Sequence, residues 1–157
     1  MPKPQCWLMK SEPESFSIDD LKRAKKQTTG WDGVRNYLAR NYLRSMRVGD
    51  HVFFYHSNAA PPAIVGIAEI VKTAYPDPTQ FDQNDSHYDS KSKMEAPTWD
   101  VVDVKFVEKF AAPLSLEMLR DVAALKDMEL LRRGSRLSVQ PVTAAQWKAV
   151  VKLAKKN

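Results

Sequence analysis

Two extended runs, His51 to His56 and Ala63 to Val71, lie only six residues apart, with Pro61 and Pro62 between them. A link that short leaves no room for the crossover that parallel strands need, so these runs are predicted to pair antiparallel. Gly66 inside the second run marks a bulge or a close backbone approach. Cys6 to Lys10 is apolar, too short for a helix and halted by SerGluPro, which makes it a buried strand. From Trp99 to Phe106, Asp100, Val102, Val104 and Phe106 alternate with Trp99, Val101, Asp103 and Lys105, the pattern of a two-faced strand. Arg136 to Val139 is a short extended piece stopped by Pro141.

Helices are announced by their caps. Ser17 with Asp20, and a Phe16/Leu21 staple, start a helix from Ile18 to Lys25 that ThrThrGly ends. Val34 to Met46 reads as helical, with Val34, Leu38, Tyr42 and Met46 in one stripe, Leu43 beside it, and Arg40, Arg44 and Arg47 on a solvated face. Ser115, with a Leu114/Leu119 staple, starts a third helix, and a fourth segment around Met128 to Arg132 ends at Gly134. Thr143 and Gln146 form a capping box for the last helix, with Val142 and Trp147 as its staple and Trp147, Val150, Val151 and Ala154 as its core stripe. Tyr75 to Pro97 is polar and acidic and reads as a long surface excursion. Strands and helices do not alternate as a parallel sheet requires, so the predicted class is α+β, a small, curled, mostly antiparallel sheet or partly closed β-barrel flanked by helices. At 157 residues, with no linker or repeat, one domain spanning 1–157 is expected.

Several chemistries lack their residues. Cys6 is the sole cysteine, and His51, His56 and His87 have no paired spacing, so neither a disulfide nor a zinc motif is expected. His56 and Ser57 point to opposite faces of a strand, and no GlyXSerXGly elbow exists for a hydrolase. Five glycines form no phosphate-cradling loop, and no cofactor is expected. The opening MetProLysProGln lacks an apolar signal segment and no run is long enough to cross a membrane, so a cytoplasmic protein, nuclear in a eukaryote, is expected.

Charge is unevenly divided: +4 over residues 1–60, −4 over 61–110 and +5 over 111–157. Two basic ends suit a polyanionic partner. Four polar and aromatic segments sit where elements begin or end, at 10–13, 31–36, 55–58 and 136–141, and such ends can hold groups around a pocket. Each also has a plainer reading, with Trp31 as core, Asn36 as loop stabiliser, Tyr55 as packing and Glu12 as a cap.

At these segments the sequence resembles the EVE domain family of the PUA-like superfamily. The resemblance rests on TrpLeuMetLysSerGluPro at 7–13, TrpAspGlyValArgAsnTyrLeuAlaArgAsn at 31–41, GlyAspHisValPhePheTyrHisSer at 49–57 and ArgLeuSerValGlnProVal at 136–142, with GlyIleAlaGluIleVal at 66–71 and TrpAspValValAspVal at 99–104 between them. It implies a PUA-like fold and a nonenzymatic nucleic-acid module, a reader of a modified base such as methylated or hydroxymethylated cytosine, in DNA or RNA. A base read in a pocket must leave its stack, at a cost offset by an aromatic platform and edge hydrogen bonds. Trp31 is the expected platform. Ser11, Glu12, Asn36, Tyr55, Ser57, Ser138 and Gln140 offer donors and acceptors, and His56 joins them only if Tyr55 faces away. Lys10, Arg35, Arg40 and Arg136 are expected on phosphates, and Trp99 is a second wall or core. The alternatives are an enzyme on modified nucleotides or RNA, using Glu12 or His56 as acid or base, and a module for a small ligand or protein.

Overall fold

The structure, a computed structural model, describes residues 4–156. Met1 to Lys3, where a signal segment would begin, lie outside the described residues. Six strands form one sheet: β1 (Cys6–Ser11), β2 (Thr28–Gly30), β3 (His51–His56), β4 (Ala63–Pro76), β5 (Asp100–Ser115) and β6 (Val139–Val142), in the order β2-β5-β4-β3-β1-β6. β3 and β4 pair antiparallel, as their short connection demands. β1 and β3 pair parallel, because α1 (Ile18–Arg23), β2 and α2 (Tyr37–Ser45) supply a crossover between them. The remaining pairs are antiparallel, so the sheet is mixed.

Alternation along the central strands buries both faces. Trp7 and Met9 of β1 and Val52 and Phe54 of β3 pack with Ile18 and Leu21 of α1 and Ala39 and Leu43 of α2. Leu8, Phe53 and Tyr55 point the other way, toward Leu119 of α3 (Leu116–Arg120), Leu125, Leu130 and Val150 of α4 (Ala144–Lys156). Runs buried on two faces are apolar throughout, which is why β1 and β3 show little alternation in sequence. Trp147 stacks on Phe53 with ring centroids 3.8 Å apart and also faces His51.

The sheet curls without closing into a barrel. Three strands separate β2 from β1 in the hydrogen-bonded order, yet both line one cleft. The bend arises in β4 and β5, whose register shifts four times along their length. One shift adjoins Gly66, where an added Cβ would collide with Ile18 Cδ1 and the Glu108 carbonyl oxygen. Gly66 is thus both a bulge and a close approach.

Several boundaries differ from the sequence reading. ThrThrGly, expected only to end a helix, is β2, held by β5. α2 begins at Tyr37, capped by Asn36, so counting every fourth residue from Val34 drifts off the buried face. The stripe is Ala39, Tyr42, Leu43 and Met46, and Leu38 is 50% exposed. Glu129–Leu131 is a 3-10 turn in place of an α-helix. The caps at Ser17, Ser115 and Thr143 form as expected.

Residues 77–98 are a pinned wall, where a solvated excursion was expected. Gln80 is fully buried. Its Nε2 donates to the carbonyls of Asp77 and Trp99, and its Oε1 accepts from the Trp99 N–H and Ser92 Oγ. Trp99 is core to this wall, its indole N–H donating to Asp89 at 2.7 Å. Arg40 donates to the Thr98 carbonyl at 3.1 Å, and Arg44 pairs with Asp100, so neither lies on a merely solvated face.

Candidate nucleic-acid interface

At the unclosed seam of the sheet is a cleft of about 420 Å³. One side comes from the end of β1 and the turn after it, through Lys10, Ser11, Glu12, Ser15 and Phe16. The other comes from Thr29 and Gly30 of β2, then Trp31, Asp32 and His87. Trp31 is anchored by its N–H donating to the Val102 carbonyl at 2.8 Å and by edge packing on Phe54, with ring centroids 5.2 Å apart. At 7% exposure it is core as well as wall. Ser11 Oγ donates to the Phe16 carbonyl at 2.6 Å, which fixes the turn carrying Glu12. The carboxyl groups of Glu12 and Asp32 have no hydrogen-bond partner among the described residues. Burial raises the Asp32 carboxyl above its ordinary range, Asp77 and Asp85 push the same way, and His87 and Arg35 oppose them.

His87 reaches the cleft because Arg35 holds its backbone. Arg35 Nε and Nη2 donate to the His87 carbonyl at 2.9 and 2.7 Å, while Nη1 donates to Asp77 at 3.0 Å. The His87 ring packs on Gly33, where a Cβ would come within 2.8 Å of Cε1 and Nε2. Asp77 also accepts from the Gly33 N–H and from Thr79. Burial raises its pKa, but these hydrogen bonds and Arg35 outweigh it and hold the carboxyl below the usual range.

Lys10 lines both the cleft and a basic trough of about 600 Å³ that continues past Tyr55, Arg120, Arg132, Arg133 and Ser135. Burial lowers the Lys10 pKa, and Glu129 partly offsets this. A shallower hollow shares Arg132, Arg133 and Ser135 and adds Arg136, Asn36 and Leu38. Among the described residues lining trough and hollow, five cations face one carboxylate, Glu129.

Of the expected pocket residues, Ser11, Glu12 and Trp31 meet in the cleft with Lys10, and the others do not line it. Asn36 caps α2, its side chain accepting from the Ala39 N–H at 2.9 Å. Tyr55 faces the opposite side of the sheet, under Lys10, and burial raises its pKa. His56 Nε2 accepts the Ile18 N–H at 3.1 Å and lines a separate hollow, and burial lowers its pKa. The Ser57 N–H donates to the Ser11 carbonyl, and the Ser138 carbonyl accepts the Lys10 N–H, so both tie strand ends together. Gln140 is buried in β6, its Nε2 donating to the Leu137 carbonyl. Arg35 and Arg40 are engaged in the wall, whereas Arg136 is exposed beside the trough. Sequence reasoning misses Arg132 and Arg133, although ArgArgGlySerArg is a visible charge run. No local signal could bring His87 to Gly33. Among the described residues, no three His, Cys, Asp or Glu side chains gather as metal ligands, and no helix is long and apolar enough to cross a membrane.

Comparison with known proteins agrees with this architecture. The chain is 52% identical over 164 residues to thymocyte nuclear protein 1 of Gallus gallus, covering 94% of this chain and 67% of that one. The crystal structure of human THYN1 protein in complex with 5-methylcytosine containing DNA matches with a TM-score of 0.93 at 48% identity, covering 98% of this chain and 99% of that. A crystal structure from Pseudomonas syringae matches with a TM-score of 0.91 at 50% identity, covering 95% and 99%. The open, curled sheet is the PUA-like architecture of these relatives. The family model for the EVE domain spans residues 5–153, and the chain belongs to the EVE domain family.

Proposed function

We propose that this chain is a single-domain, nonenzymatic nucleic-acid module that reads a modified base, such as methylated or hydroxymethylated cytosine, in the Trp31 cleft. The observation that carries the reading is the juxtaposition of two unlike surfaces. A cleft bearing an aromatic ring and two unengaged carboxyl groups adjoins a trough rich in arginine. With two carboxyl groups beside one lysine, Lys10, the cleft suits a base, whereas the trough suits the backbone that carries it. The human relative crystallised with 5-methylcytosine containing DNA supports the choice of a modified base as ligand. Against the enzyme reading, Glu12 and His56 line different hollows, and His56 Nε2 is occupied by the Ile18 N–H.

Matched oligonucleotides carrying cytosine, 5-methylcytosine or 5-hydroxymethylcytosine at one position, titrated at fixed salt, test the reading. Tighter binding of a modified strand is expected, and equal affinities would sink it. Trp31→Phe, which keeps an aromatic ring in the core, is expected to weaken that preference, since stacking contributes about 1–3 kcal/mol per base.

A further inference from the structure

Resting on the reading of the cleft as a base pocket, we propose that Asp32 accepts a hydrogen bond from the exocyclic amino group of the bound base and so selects 4-amino pyrimidines over thymine. 5-Methylcytosine and thymine share the ring and the 5-methyl group. They differ at position 4, an amino donor in one and a carbonyl acceptor in the other, and in protonation at N3. Neither the aromatic wall nor a methyl contact separates them, so a polar group at position 4 or at N3 must, and a carboxylate acceptor serves at position 4.

The cleft offers two carboxyl groups for that task, Glu12 and Asp32. Both residues are exposed, and Glu12 lies on the turn after β1. Asp32 directly follows the ring it would act beside, and its N–H donates to the Gly30 carbonyl at 3.1 Å, fixing the backbone that carries it. The Asp77 and Asp85 carboxylates bear on it as well, opposed by His87 and Arg35. A donor brought to Asp32 meets an acceptor that no neighbouring donor occupies, while the carbonyl of thymine meets one with no proton to share. A site that leaves a polar group unpaired with the wrong ligand discriminates far better than one that differs only in apolar fit.

The test uses single-stranded oligonucleotides identical except for 5-methylcytosine, cytosine or thymine at one position. The intact protein is expected to bind the 5-methylcytosine strand at least about 10-fold more tightly than the thymine strand. Asp32→Asn, whose amide can donate to a 4-carbonyl, is expected to bring that ratio to within about 3-fold, and Asp32→Ala to lower it as well, while Glu117→Gln, on α3 away from the cleft, leaves it intact. Thermal unfolding checks that each variant is folded. Full discrimination in both Asp32 variants, or its loss in Glu117→Gln alone, overturns the assignment. Preference for 5-methylcytosine over cytosine without discrimination against thymine overturns Asp32 while leaving the base-reader proposal standing. Equal binding of all three strands removes both.

Discussion

Arg35 Nη1 donates to the fully buried carboxylate of Asp77 at 3.0 Å while Nη2 of the same guanidinium holds the His87 carbonyl at 2.7 Å. One side chain thus couples the loop after Trp31 to the wall that closes the cleft. The wall's position follows from a charge pair between residues 42 apart in sequence.

Asp77→Ala leaves Arg35 without its carboxylate and the Gly33 N–H without its acceptor. A loss of about 3 kcal/mol is expected by chemical denaturation at pH 7, because one partner of a partly buried pair remains. The Asp77 carboxyl is held below the unfolded value of roughly 3.9. Its contribution is therefore present above that pH and is lost as pH falls through the lower folded value. The gap between native protein and variant should narrow below about pH 4, and base binding should fall with it as His87 is released.

Gly66→Ala places a Cβ against Ile18 and the Glu108 carbonyl. The carbonyl belongs to β5, which the β4 ladder holds in place, so relief requires strand movement. A loss of about 2 to 3 kcal/mol is expected, seen as a Tm lower by roughly 5 to 10 °C.

The Arg132→Ala/Arg133→Ala double variant is expected to weaken binding to all strands alike. On single strands it should also flatten the plot of log affinity against log salt by about 0.7 for each phosphate no longer neutralised. The ratio between modified and plain strands should not change. Arg40→Ala gives a contrast, because Arg40 donates to Thr98 and Asn41. Its expected effect is a stability loss of about 1 kcal/mol with little change in the salt slope.

Tyr75 donates to Asp103 at 2.5 Å, and burial together with that hydrogen bond pushes its phenol up to about 12. Because the folded value lies above the unfolded value of about 10, this contribution is complete below pH 10 and fades as pH rises toward 12. In an absorbance titration of the phenolates, Tyr75 should ionise late, and Tyr75→Phe should remove that late fraction. Denaturation of the two proteins should converge above about pH 12.

Signals carried within a few residues were legible. Ser17 with Asp20, Ser115 with Met118 and Thr143 with Gln146 each close a hydrogen bond across one helical turn, and each forms where the sequence places it. β2 was not legible, since ThrThrGly has no pattern of its own and is a strand only because β5 pairs with it. Leu38 misled for the opposite reason, fitting an apolar period whose phase depends on where Asn36 starts the helix. Gln80, a polar residue in a polar segment, gave no sign that it is fully buried and holds the wall by four hydrogen bonds.

The amino-acid sequence by itself determined the class of fold, the antiparallel β3–β4 pair, most helix starts, the family motifs and the cleft residues Lys10, Ser11, Glu12 and Trp31. These are set by local periodicity, capping and short connections. The tertiary structure alone decided that Tyr55 faces the other side of the sheet, that His56 lines a separate hollow, that Asn36 and Arg35 serve the scaffold, and that Asp32 and His87 face the cleft beside a trough of arginines. Those outcomes depend on the curl of the sheet and on a buried ion pair between distant residues, and both are fixed only when strands and loops pack against one another.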